Sequence, residues 1–229
     1  VNGARRTLGL IGSVAGLIAA NVAVGRALSR SGRVRERETA VILRLQDHRT
    51  PARDTAARTV STVADVPASV AHGLLAVAVL AARTRNARLA GVPALALVVE
   101  SATYLAAGAL VARGRPDVPH LDREQPTSSF PSGHQGATVA LMASYALLAG
   151  RLCSPAARRA IGAACLAGPA VLAWARVHTG MHYPSDVVAG TLNGLVAGAL
   201  AWRCLAGAGT GTPVPVLSRA QAARGRSSL

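Results

Sequence analysis

The chain has 229 residues, 51% of them hydrophobic and 15% charged, with a mean hydropathy of +0.34. Aromatics make up only 3%, too few to fill a soluble core of this size, and the low charge excludes a disordered polyelectrolyte. The net charge of +15 is carried by arginine, with no lysine; the arginines separate apolar runs instead of forming one basic face, which argues against a nucleic-acid partner and suits anionic lipid surfaces and phosphate-bearing substrates.

A membrane span takes about 20 mainly apolar residues. Six stretches qualify: 7–25, 66–82, 89–112, 134–150, 160–175 and 187–202. The first follows Arg5 and Arg6, as in a signal peptide, but its apolar run is long and no small-residue cleavage site follows, so it reads as a span. The chain opens on Val1, so native residues are expected to precede it. Residues 26–65 are charged but carry Ala40, Val41, Ile42, Leu43 and Leu45, which predicts an amphipathic interfacial helical segment broken at Pro51. The expected fold is all-α: a polytopic bundle of six transmembrane helices plus that segment. Its expected divisions are a first helix (1–30), the interfacial segment (31–65), a membrane core (66–205) and a mobile tail (206–229) rich in Gly, Pro, Ser and Arg.

Cys153, Cys165 and Cys204 form no CxxC pair, and Cys165 inside an apolar run reads as a buried free thiol. With six spans both termini share a side. That side carries twelve arginines, against four in the short loops opposite, although residues 26–65 add nine to the opposite side. The bias favours cytoplasmic termini in the plasma membrane. Gly190, Gly194 and Gly198 recur on one helix face and predict close helix packing. Tyr183 and Trp202 fit interface anchors. His48 and His72 read as structural. Glu100, an acid inside a span, is expected either to pair with an arginine or to line a polar cavity.

The unusual chemistry gathers in two loops on the arginine-poor side. One runs from Arg113 through Arg115-Pro116 and His120 to Pro131-Ser132-Gly133-His134; the other runs from Ala175-Arg176 through His182 to Asp186. Arg115 and Arg176 supply planar forks for a phosphate, Ser132 a hydroxyl, and Gly133 a backbone N–H at a helix start. His134 and His182 suit in-line displacement at phosphorus, one attacking and the other protonating the leaving oxygen. Asp186, four residues after His182, is placed to accept the imidazole's other N–H. Asp117 and His120 are candidates for head-group contact. His178, His182 and Asp186 share an i, i+4, i+8 spacing that could ligate a metal on a helix, but Gly180 and Pro184 interrupt it, so no metal site is expected.

These stretches resemble the three motifs of the type 2 phosphatidic acid phosphatase superfamily: Lys-x6-Arg-Pro, Pro-Ser-Gly-His and Ser-Arg-x5-His-x3-Asp. Arg115-Pro116 matches the end of the first, residues 131–134 match the second in full, and Arg176, His182 and Asp186 match the third. The resemblance covers roughly residues 40–205. It implies a metal-independent, cofactor-free membrane phosphatase. His182 would form a phosphohistidine, His134 would serve as acid and then base, and Asp186 would orient the nucleophile. Arg115, Ser132, Gly133 and Arg176 would hold the phosphate of a lipid substrate.

Two positions depart from the pattern: Gly108 stands at the lysine and Ala175 at the serine. Arg113 is expected to lean in for the missing lysine. Losing one charge-assisted contact costs about 1.5–3 kcal/mol, so two other readings stay open: a phosphotransferase using the same histidine, and a weakened lipid-phosphate binding or transport protein. A vanadate-dependent peroxidase shares the motif chemistry but is soluble, which six spans oppose. The expected lipid is a polyprenyl diphosphate, phosphatidic acid, phosphatidylglycerophosphate or a polyprenyl-phosphosugar phosphate of the cell envelope, cleaved at the extracytoplasmic face. The residues assign no oligomeric state.

Overall fold

In the computed structural model, residues 2–123 and 126–207 are described, and they form helices joined by loops. The helices are α1 (Asn2–Arg30), α2 (Gly32–Gln46), α3 (Pro51–Val63), α4 (Val66–Thr84), α5 (Ala87–Ala90), α6 (Val92–Val111), α7 (Gly133–Leu152), α8 (Pro155–His178) and α9 (Pro184–Leu205). The expected tail lies almost wholly outside the described residues.

Five helical stretches are long and apolar enough to cross a membrane: α1, α4, α5 with α6, α8 and α9. The fourth expected span, 134–150, lies in α7, a 20-residue helix that falls short on composition. Its position explains this. It packs most closely on α9 and is also flanked by α6 and α8, so protein covers much of its surface and lipid need not.

The bundle is apolar on the outside and small inside. Leu74, Leu75, Val98, Leu105 and Leu166 are exposed, while the central cluster is built largely from Ala96, Ala140, Ala197, Ala201, Val92 and Val99. In lipid the hydrophobic effect does not drive helices together, so close approach of small residues does. The glycine stripe on α9 serves this end. A Cβ on Gly190 would come 2.4 Å from the Ser132 carbonyl oxygen, and one on Gly194 would come 2.5 Å from that of Gly136. Gly190→Ala is therefore expected to push α9 off the start of α7, cost about 1–3 kcal/mol by overpacking, and lower activity with it. Gly162→Ala, which meets nothing within 4 Å, should leave both unchanged. Thermal melting and turnover in detergent would test the pair.

The segment between α1 and α4 divides as its sequence predicts. Pro51 begins α3, and the Thr50 side chain accepts from Arg53 N–H to cap it. The segment also bonds to the bundle. Gln46 donates to the carbonyls of Pro119 and His178, and Asp54 sits 2.9 Å from Nε2 of His178 while pairing with Arg49 at 2.8 Å. Hydrogen bonds from Arg49 and His178 hold the Asp54 carboxyl below the usual carboxylate range. Through these contacts α2 and α3 brace the bundle end where α6 and α8 finish and α7 and α9 begin.

Candidate active site

Both polar loops meet at that end. Ser132 N–H donates to the Asp186 carbonyl at 3.0 Å, tying the start of α7 to the first turn of α9. Gly180 makes the turn between α8 and α9 at φ +75°, where a Cβ would also strike the Pro119 carbonyl at 2.8 Å.

His182 is 3% exposed, and its Nδ1 lies 2.8 Å from the Ser129 carbonyl oxygen. A carbonyl only accepts, so Nδ1 carries the hydrogen and Nε2 keeps its lone pair. Burial pushes the imidazole pKa down to about 4, with the Asp186 carboxylate opposing and the Arg176 and Arg115 charges adding to the drop. The ring is thus neutral and nucleophilic well below its ordinary 6.5. Between these values the unfolded chain binds a proton that the folded chain does not, so stability falls as pH drops from 6.5 toward about 4. The acid limb of single-turnover phosphoryl transfer is expected near pH 4; a limb centred near 6.5 would contradict a buried neutral nucleophile.

Asp186 is fully buried, but it does not hydrogen-bond His182 directly, since Oδ2 lies 3.9 Å from Nδ1. Its carboxylate accepts instead from Ser129 Oγ, from Tyr183 N–H at 2.9 Å and from Arg113 Nη1 at 2.5 Å. The expected i, i+4 pairing gives way because Pro184 starts α9 between the two residues. Ser129 is the intermediary, bonding Asp186 through its hydroxyl and facing His182 through its carbonyl. Tyr183 N–H and the carboxylate two residues from the helix start also form an N-terminal cap, so Asp186 stabilises α9 as well.

His134 opens α7 and is half-buried, with Nε2 3.4 Å from Asp65 Oδ1. His134, His182, Arg115 and Gly133 line one cavity of about 300 Å³. Its remaining wall includes Glu100 and Tyr104, with Val66, Val70, Leu97 and Leu105 on the apolar side. Arg115 Nη1 donates to the Met181 carbonyl at 2.7 Å. Arg176 is 1% exposed and reaches Asp122 at 3.0 Å, while its Nε has no hydrogen-bond partner among the described residues. Ser132 Oγ is likewise buried without a partner. Neither Arg176 nor Ser132 lines that cavity, but these orphaned donors stand at two expected phosphate positions and fit a site built for an anion.

Arg113 is placed differently from expectation. It lines no part of this cavity. Its guanidinium is 2.9 Å from Glu38, 2.5 Å from Asp186 and 2.8 Å from Ser185 Oγ, and it stacks 4.1 Å over the Tyr183 ring. Gly108, at the lysine position, opens on a second cavity of about 360 Å³ that shares Tyr104, Leu105 and Thr127 with the first. Glu100 pairs with no arginine among the described residues; it lines the cavity, 2% exposed and packed on Gly136. Asp117 and His120 face a separate open depression. His178 turns away to Asp54 and Trp174, so it does not converge with His182 and Asp186. Sequence reasoning missed Glu38, Asp65, Asp122 and Ser129, ordinary polar residues whose spacing carried no signal.

Two solved membrane proteins share the fold. A transmembrane PAP2-type phosphatidylglycerolphosphate phosphatase from Bacillus subtilis superposes with a TM-score of 0.72 at 17% identity, covering 82% of this chain and 93% of that one. Aquifex aeolicus LpxE gives 0.58 at 18% identity, covering 72% and 93%. At these identities the likeness is one of fold. No curated protein matches the chain in sequence. The PAP2 superfamily model matches residues 89–209, a span that contains both histidines, all three arginines and Asp186, and by that match the chain belongs to the PAP2 superfamily.

Proposed function

We propose that the chain is a metal-independent lipid phosphate phosphatase acting through a phosphohistidine at His182. The observation that carries this reading is the tautomer of His182, protonated on Nδ1 by its bond to the Ser129 carbonyl, with Nε2 left to attack in a cavity it shares with His134. As Nε2 bonds to phosphorus, the bond to the leaving oxygen breaks and His134 protonates that oxygen. His134 then takes a proton from water, which attacks phosphorus, breaks the P–N bond and releases phosphate. Arg115, Arg176, Ser132 Oγ and the Gly133 N–H at the start of α7 balance the charge on the phosphoryl oxygens. Arg113 acts as a clamp outside the phosphate site.

The apolar wall formed by Val66, Val70, Leu97 and Leu105 suits a lipid leaving group. The proposed substrates are phosphatidic acid, phosphatidylglycerophosphate (the lipid in the name of the Bacillus phosphatase), polyprenyl diphosphate and polyprenyl-phosphosugar phosphate. The site is assigned to the extracytoplasmic face of the plasma membrane, with cytoplasmic termini. A second reading, binding with weak turnover, is favoured by the open space beside Gly108 where a lysine ligand would stand.

Phosphate release from these lipids in nanodiscs with excess chelator is the direct test. We expect chelator-resistant multiple turnover on at least one of them. Release abolished by chelator would overturn metal independence, and tight lipid binding without release would favour the second reading.

A further inference from the structure

His134 must carry a proton to the leaving oxygen while sharing its surroundings with cations. Arg176 and His182 lie within electrostatic reach of it, and so do two carboxylates, Asp65 and Asp122. Asp122 is already engaged by Arg176 at 3.0 Å. Asp65 makes no other ion pair among the described residues, and its Oδ1 lies 3.4 Å from Nε2 of His134. Both residues line the cavity. Asp65 also caps α4, where the same oxygen accepts from Val66 N–H at 2.8 Å. It lies outside residues 89–209 that match the family model, on the segment that joins α3 to the bundle.

We propose that Asp65 is the positioning residue of the general acid: it holds His134 by Nε2–H and turns Nδ1–H toward the leaving oxygen. This rests on the phosphatase reading. In the first step His182 Nε2 gives its electron pair to phosphorus. The pair of the breaking P–O bond goes to the leaving oxygen, which takes the proton from His134 Nδ1. His134 ends neutral with its remaining hydrogen on Nε2 facing Asp65, so Nδ1 is ready to accept the proton of the attacking water. As that water bonds to phosphorus, the P–N bond breaks, its pair returns to His182, and His134 is again the imidazolium. A carboxylate at the far nitrogen thus serves both half-reactions by fixing which nitrogen exchanges the proton.

Leaving-group dependence separates this role from a structural one. An alkyl lipid phosphate needs its leaving oxygen protonated; 4-nitrophenyl phosphate does not. Asp65→Asn and Asp65→Ser both keep a good N-cap, so α4 should persist, as checked by thermal melting. The kcat/KM reports steps through the first P–O cleavage. We expect it to fall roughly 10- to 100-fold for phosphatidic acid, less than losing the general acid itself because Asp65 acts through His134, and by less than about 3-fold for 4-nitrophenyl phosphate. An equal fall for both substrates, or no fall for either, overturns the role of Asp65 and leaves the phosphatase reading standing. Failure of the unsubstituted protein to release phosphate from either substrate overturns both.

Discussion

Replacing His182 with Ala is expected to abolish phosphate release, with a loss of roughly 10⁴-fold or more, because it removes the Nε2 lone pair that attacks phosphorus in the proposed mechanism. His134→Ala should fail in a different way. Its loss removes proton transfer to the leaving group and from water, worth about 10²–10⁴-fold, but leaves His182 able to attack. A pulse of substrate with a good leaving group should therefore leave phosphate on the His134→Ala protein, trapped as an acid-labile, base-stable adduct. The His182→Ala protein should carry none. Rapid-quench labelling with radioactive phosphate measures both. An adduct that persists in His182→Ala would move the nucleophile elsewhere and remove the support that the Ser129 contact lends to the mechanism.

The second large effect concerns Arg113, and its direction separates a clamp from a phosphate ligand. The side chain is 4% exposed and pairs with both Glu38 and Asp186. Removing one partner of a buried ion pair costs about 3–5 kcal/mol, since the charges left behind are neither solvated nor compensated. Arg113→Ala here takes the shared cation from two carboxylates, and Glu38 then holds α2 to the start of α9 only through Ser185 N–H at 2.6 Å and Ser185 Oγ at 3.0 Å. We expect a large fall in melting temperature and loss of activity with it. Arg113→Lys should recover only part, because one ammonium cannot reproduce the fork that reaches Glu38, Asp186 and Ser185 together. Glu38→Gln should give a milder version of the same phenotype, although Glu38 lines no part of the cavity. A raised KM at unchanged stability would instead return Arg113 to the phosphate.

The motif residues were legible because they are anomalies. Histidine, arginine and aspartate at the ends of apolar helices have few structural reasons to be there, and their order and spacing matched a known pattern. The partners that orient them were not legible. Glu38 sits in an amphipathic helix where charged residues are commonplace, and Asp65 looks like an ordinary helix cap. Ser129 acts on His182 through its backbone, which carries no side-chain signature. Arg113 was readable as important but not as a clamp, because the same planar donor fork suits a carboxylate and a phosphate equally. The spacing of His182 and Asp186 suggested a direct bond, which holds on a continuous helix; here a helix begins between them, and the carboxylate reaches the imidazole only by way of Ser129.

The sequence by itself determined the helical membrane class, the places where the chain turns, the glycine face of α9 and which residues are proposed to react. All of these follow from local composition and from periods of a few residues. Only the tertiary structure decided that α2 and α3 brace the site end and that α7 lies inside the bundle with a composition short of a lipid-facing span. It also decided that Arg113 belongs to Asp186 and Glu38, and that Asp65 faces His134. These depend on which distant segments meet, and a charged group's role inside a low-dielectric bundle is set by the nearest opposite charge, which local sequence does not specify.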